Sequence, residues 1–182
     1  MRPVASALLI LIAAGCQTTG REPLLLTEQV DIPRFMGDWY VIAAIPTPFE
    51  TQAWDAVERY RLDPAGFVET TFSYRKGGFD GPAKALHARG YVEKGSNGAV
   101  WGMQFVWPFR ADYRVMYLDE DYQVTIIGRS RRDYLWIMAR EPALPEDQFE
   151  SLLALCRDQG YDLSGLRLVP QSAAAGAAPA QP

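Results

Sequence analysis

The chain has 182 residues, 48% of them apolar and 22% charged, which suits one domain with a sizeable core and excludes overall disorder. A net charge of −4 without any basic block excludes a phosphate-tracking groove, since nucleic-acid affinity is built on Lys and Arg. One His and two Cys leave almost no stock for a His/Cys metal site or a His-based triad, whereas five Trp and nine Tyr put recognition in aromatic side chains.

In chain order, the first segment reads as an address. Arg2 precedes an apolar run from Val4 to Gly15, shorter than the ~20 residues a membrane span needs. A basic start, a short apolar stretch and small residues before a cut describe a signal peptide over residues 1–15. Ala13-Ala14-Gly15-Cys16 resembles the lipobox of bacterial lipoproteins, with Ala13 where those motifs favour Leu. The resemblance implies that Cys16 is lipidated and becomes the new N-terminus. Gln17, in place of the Asp that retains lipoproteins at the inner membrane, implies sorting to the outer membrane of a Gram-negative bacterium. Losing Arg2 leaves 17 basic and 22 acidic residues, a net charge of −5, so the acyl chains and not the protein's charge would hold the membrane. Residues 16–32 then form a lipid-anchored connector, exposed as far as Asp31. Cys156 is left without an intramolecular disulfide partner and falls at a core position of a helix.

From residue 37 the pattern has period two, with turn residues at regular intervals. It predicts strands over 37–46, 54–62, 67–75, 85–94, 99–107, 113–119, 123–129 and 133–140. The breaks carry turn chemistry, as in Asp63-Pro64-Ala65-Gly66 and Gly95-Ser96-Asn97-Gly98. Eight such strands suit a sandwich or an up-and-down barrel. Residues 145–160 switch period: Phe149, Leu152, Leu153 and Cys156 make one apolar stripe, predicting a helix packed outside the sheet. Leu166, Leu168 and Val169 suggest a short extended piece, and residues 171–182 read as a disordered tail.

Gly37-Asp38-Trp39 heading the first strand, with Arg140 ending the last before a helix, resembles the lipocalin signature. The stretch Asp133 to Arg140 and the block Pro108-Phe109 … Tyr113 to Asp119, with Tyr122 and Gly128 in step, resemble more specifically the bacterial branch of outer-membrane lipoproteins related to apolipoprotein D. The likeness runs from about Pro33 to Gln171; the second and third strands match poorly and leave their registers open. It implies an all-β fold, an eight-stranded antiparallel up-and-down barrel with a C-terminal helix outside, in a domain over 33–170 (barrel 36–140, helix 145–160). It also gives the motif a structural role: Trp39 plugs one end, Arg140 lies over the indole, and Gly37 leaves room for it.

In such a barrel the inward parity of three strands gives Trp101, Met103, Phe105 and Trp107; Tyr113, Val115 and Tyr117; and Tyr134, Trp136 and Met138. With the closed end filled as core, the candidate ligand-binding residues are Trp101, Met103, Phe105, Tyr113, Val115, Tyr134 and Trp136. Arg89 and Arg114 are candidate headgroup partners. The implied function is binding, storage or transport of amphipathic lipids, fatty acids or lysophospholipids, at the outer membrane. The alternative is a filled barrel that docks a protein partner. No catalytic residue, cofactor or metal is implied, because His87 has no recognisable Ser or Cys partner and G-x-S-x-G is absent.

Replacing Cys16 by Ser should release the protein from the membrane while leaving the barrel folded. Recovery of the variant in a high-salt-washed membrane fraction would exclude the lipid anchor.

Overall fold

A computed structural model describes residues 22–175; the signal segment and Cys16 lie outside them. Nine strands form one sheet: β1 (Gly37–Ile45), β2 (Ala53–Leu62), β3 (Val68–Lys76), β4 (Ala83–Val92), β5 (Val100–Val106), β6 (Phe109–Leu118), β7 (Val124–Gly128), β8 (Leu135–Ala139) and β9 (Arg167–Leu168). Strands β1 to β8 pair antiparallel in sequence order, and β1 pairs with both β2 and β8, closing an eight-stranded barrel. The registers left open by sequence are Glu58↔Phe72 between β2 and β3 and Phe72↔Leu86 between β3 and β4.

The turns follow from local chemistry. Between β2 and β3 the Asp63 carboxylate accepts from Ala65 N, while Gly66 adopts φ +86° and donates to Asp63 O. An L side chain at Gly66 would be strained in that left-handed conformation. A short helix, α1 (Ile32–Phe35), capped by Asp31, crosses the barrel end just before β1. The connector before it is less exposed than its composition suggests. Val30 is buried and its N–H donates to Asn97 O, while Thr27 N donates to Val115 O. These bonds satisfy main-chain groups beneath the barrel.

Helix α2 (Glu146–Asp158) begins after Pro145 and lays Leu152, Leu153 and Cys156 on the outer barrel face. There they meet Ile42, Ala43, Val124, Ile126 and Ile137. Burial pushes the Cys156 thiol up to about 12, so it acts as an apolar filler. Ladder bonds between β1 and β2 run only from Gly37↔Tyr60 to Tyr40↔Val57. Above that β9 takes over one edge of β1, pairing Leu168 with Ala43. Gln171 bridges the gap, its amide donating to Val41 O (2.9 Å) and Ala56 O (3.1 Å). Gln171 is therefore buried, not part of a tail, and Ser172–Ala175 makes a helical turn (α3) whose Ser172 bonds Asp55.

The closed end is an aromatic plug. Phe35, Trp39 and Trp101 are fully buried, with Phe35 centroids 5.0 Å from Trp39, 5.3 Å from Tyr60 and 5.5 Å from Trp101. Arg140 lies flat under the plug, its guanidinium carbon 3.8 Å from the Trp39 ring centre. Its N–H groups donate to the carbonyls of Asp38 (2.7 Å), Met36 (2.9 Å) and Phe35 (3.1 Å), and more distantly to those of Arg34 and Tyr122. Gly37 sits against it: a Cβ there would come within 3.2 Å of the guanidinium, and its φ of +100° already disfavours a side chain.

Trp39→Ala should cost ~3–5 kcal/mol through lost burial and the cavity it leaves. Arg140→Ala should be coupled to it, because each partner's worth depends on the other across the stack. Urea unfolding of both single variants and the double variant checks this; strict additivity would mean the stack contributes nothing.

Candidate functional site

Above the plug the barrel opens into a cavity of about 550 Å³. Its floor is the hydroxyl pair Tyr60–Tyr113, at 2.6 Å, with the rings edge-on 6.5 Å apart. Burial raises both phenols well above their usual range, so they are hydrogen-bonding groups and not acids at neutral pH. Phe72, Leu86, Met103, Ile127 and Met138 form the apolar wall. Phe49, Phe105, Val106 and Tyr134 also line it; Phe49, Phe105 and Val106 are largely exposed, which places them at the rim. A depression of similar size on the β2–β5 flank carries Arg61, Glu69 and Arg89 and offers no comparable apolar wall.

Of the seven candidate ligand residues, Met103, Phe105, Tyr113, Tyr134 and Trp136 come together around this volume. Trp101 and Val115 do not. Both are fully buried below it, Trp101 stacked on Tyr113 at 5.3 Å with its indole N–H on Gly98 O. Two further residues given inward parity point elsewhere. A β-bulge adds a residue to β6 between Val115 and Tyr117, so Tyr117 joins the outer cluster while Leu118 packs inward. Another bulge, in β5 between Met103 and Val106, leaves Trp107 81% exposed beyond the strand end. An extra residue flips every later side chain to the other face. The headgroup candidates stay outside the cavity lining. Arg114 pairs with Asp112 at 2.9 Å, and Arg89 lies over the Phe67 ring.

Two carboxyl groups that sequence reading passed over are inside. Glu58 follows the bulge in β2 between Trp54 and Val57, so it shares the inward face with Ala56 and Tyr60 while Trp54 packs on Phe79. It sits level with Trp39 on β1 and Phe72 on β3, one inward step (~7 Å) above Tyr60. Among the described residues no hydrogen bond or ion pair reaches it. Its accessible surface faces the cavity, and withdrawal from bulk water, reinforced by the nearby Glu50 charge, pushes its carboxyl up to about 8. Glu50 lies in the loop after β1. Burial raises its carboxyl too, against hydrogen bonds from Thr47 N and Trp136 Nε1, both 3.1 Å. The available signal was a Glu two residues before an inward Tyr, and the bulge at Asp55 (φ +49°) obscured that parity.

The sign of the linkage is definite. Folded Glu58 holds a proton up to about pH 8 that the unfolded chain gives up near pH 4.5. Its stabilising protonation is therefore complete below pH 4.5 and is lost as pH rises through 8. Glu58→Gln, which mimics the neutral form, should unfold like the parent near pH 4.5 but be more stable at pH 9, by on the order of a few kcal/mol. Equal urea midpoints at both pH values would show that Glu58 meets water freely.

Comparisons with known proteins agree with this architecture. Residues 30–171 match the family model described as a lipocalin-like domain. The chain is 30% identical to temperature-induced lipocalin-1 of Arabidopsis thaliana, over 85% of this chain and 86% of that one. It is 27% identical to outer membrane lipoprotein Blc of Escherichia coli, over 92% and 93% respectively. Among solved structures, insecticyanin from the tobacco hornworm Manduca sexta superposes with a TM-score of 0.64 at 15% identity, covering 84% of this chain and 86% of that one, a likeness of fold.

Proposed function

The chain belongs to the lipocalin-like family, and on that premise we propose that it is a non-enzymatic lipoprotein that binds and carries amphipathic lipids at the outer membrane of a Gram-negative bacterium. The observation that carries this reading is the one-ended apolar cavity of about 550 Å³ between an aromatic plug and an open rim. Such a space takes an alkyl chain. Burying ~12 methylenes at ~0.8 kcal/mol each yields ~10 kcal/mol gross. Lost translational and chain freedom returns several kcal/mol of that. A fatty acid or lysophospholipid would then bind in the micromolar range.

The open volume supports cargo over a filled barrel that only docks a partner. The location rests on Ala13 to Cys16, outside the described residues, and on the likeness to an outer-membrane lipoprotein over most of the chain.

Trp136 reports on this reading. It lines the cavity mid-wall and its N–H is held by Glu50. Its fluorescence should change saturably on titration with a long-chain fatty acid or lysophospholipid, and Trp136→Phe should remove most of the signal. Trp136→Asp should weaken binding by placing a further carboxylate against the chain. A parent protein with no saturable response to either lipid would overturn the proposal.

A further inference from the structure

We propose that the cavity takes a cationic amphiphile head-first, its ammonium group seated beside Glu58 above the Tyr60–Tyr113 floor and its alkyl chain running out past Phe72, Met103 and Trp136. This deepens the lipid-binding reading, on which it rests, by naming the headgroup chemistry and the direction of entry.

The charges facing the cavity point one way. Glu50 and Glu58 both face it, and Glu58 is without a partner among the described residues. Of the basic groups in the lining, Arg129 is ion-paired with Asp133 at 3.4 Å and lies over the Tyr134 ring at 5.1 Å, although its buried Nε makes no hydrogen bond among the described residues. Asp112, at the same level of β6 as Tyr113, is satisfied by Arg114 and Ser130. Arg167 approaches Glu50 from β9, donating to its backbone carbonyl. His87 on β4 bonds Thr71 and is exposed. An anionic head driven to the floor would therefore meet Glu58, Glu50 and Asp112, and as a lining arginine only Arg129, already ion-paired with Asp133. An ammonium would meet the Glu58 carboxylate, the hydroxyl oxygens of Tyr60 and Tyr113, which can accept from or solvate it, and the aromatic side chain of Phe72. An anionic lipid would have to enter tail-first, leaving its head at the rim.

The proton balance follows. In the empty cavity Glu58 holds its proton up to about pH 8. Seating a permanent cation beside it favours the carboxylate, so binding below that pH releases the Glu58 proton to solvent. Affinity for the cation then rises about tenfold per pH unit, levelling above pH 8.

The test compares three twelve-carbon probes on the intact barrel by isothermal titration between pH 6 and 9: dodecyltrimethylammonium, 1-dodecanol and dodecanoate. The first keeps its charge throughout, so any pH dependence belongs to the protein. It should tighten by at least tenfold from pH 6 to 8 and exceed dodecanol at pH 8, with neither dodecanol nor dodecanoate tightening. Glu58→Gln should flatten its profile and bring its affinity to that of dodecanol. His87→Asn should leave the slope unchanged, separating Glu58 from the one neighbouring imidazole. If dodecanol or dodecanoate binds but the cation shows no preference, or if its slope survives in Glu58→Gln, the headgroup assignment fails and the lipid-binding reading stands. If none of the three binds saturably, both fail.

Discussion

The guanidinium of Arg140 is stacked on Trp39 at 3.8 Å and hydrogen-bonded to the carbonyls of the segment that crosses the barrel end. A barrel closed by eight strands has two open ends, and this contact shuts one. Arg140 reaches the plug from the end of β8, the α1 segment supplies its acceptors, and β1 supplies the indole, so elements about 100 residues apart meet at one side chain. The bonds are charge-assisted and several donors of one planar group are used at once, which makes the arrangement hard to replace with an apolar group. With that end filled by the plug, the cavity above it has a defined depth, and the Tyr60–Tyr113 pair marks its bottom.

The barrel's bulges do the second part of the work. Single extra residues in β1, β2, β5 and β6 break the two-residue period partway along the strands. Each one bends its strand and changes which face looks inward. In β2 the bulge brings Glu58 inside and turns Trp54 out; in β6 it sends Tyr117 toward the outer helix. Which side chains reach the cavity is thus set in part by these irregularities.

The distribution of polar groups separates structure from recognition. Around the plug, buried polar side chains are paired: Trp39 N–H with Phe35 O, Trp101 N–H with Gly98 O, Gln171 with two strand carbonyls. Glu58 breaks that rule, and a desolvated carboxyl that no contact of the fold repays is a cost that a ligand can relieve. The exposed aromatic rim of Phe49, Phe105, Trp107 and Phe109 marks the opposite, open end.

The amino-acid sequence by itself determined the strand succession, the outer helix and the partnership of Gly37, Trp39 and Arg140 through a family likeness that the fold bears out at the level of architecture. Period-two alternation and turn residues are local properties, readable wherever one face is buried. The lining was legible only where alternation stayed unbroken, as from Trp101 to Met103 on β5 and at Tyr113 on β6, while depth was not: Trp101 and Val115 share the inward face with Met103 and Tyr113 but belong to the plug. Glu58, Tyr117 and Trp107 were decided by bulges, and Val30 and Gln171 by hydrogen bonds to backbone groups far away in the chain. An extra residue in a strand leaves no mark in composition. Its position follows from how strands must shear and bend to close a barrel, and closure is a property of all eight strands together.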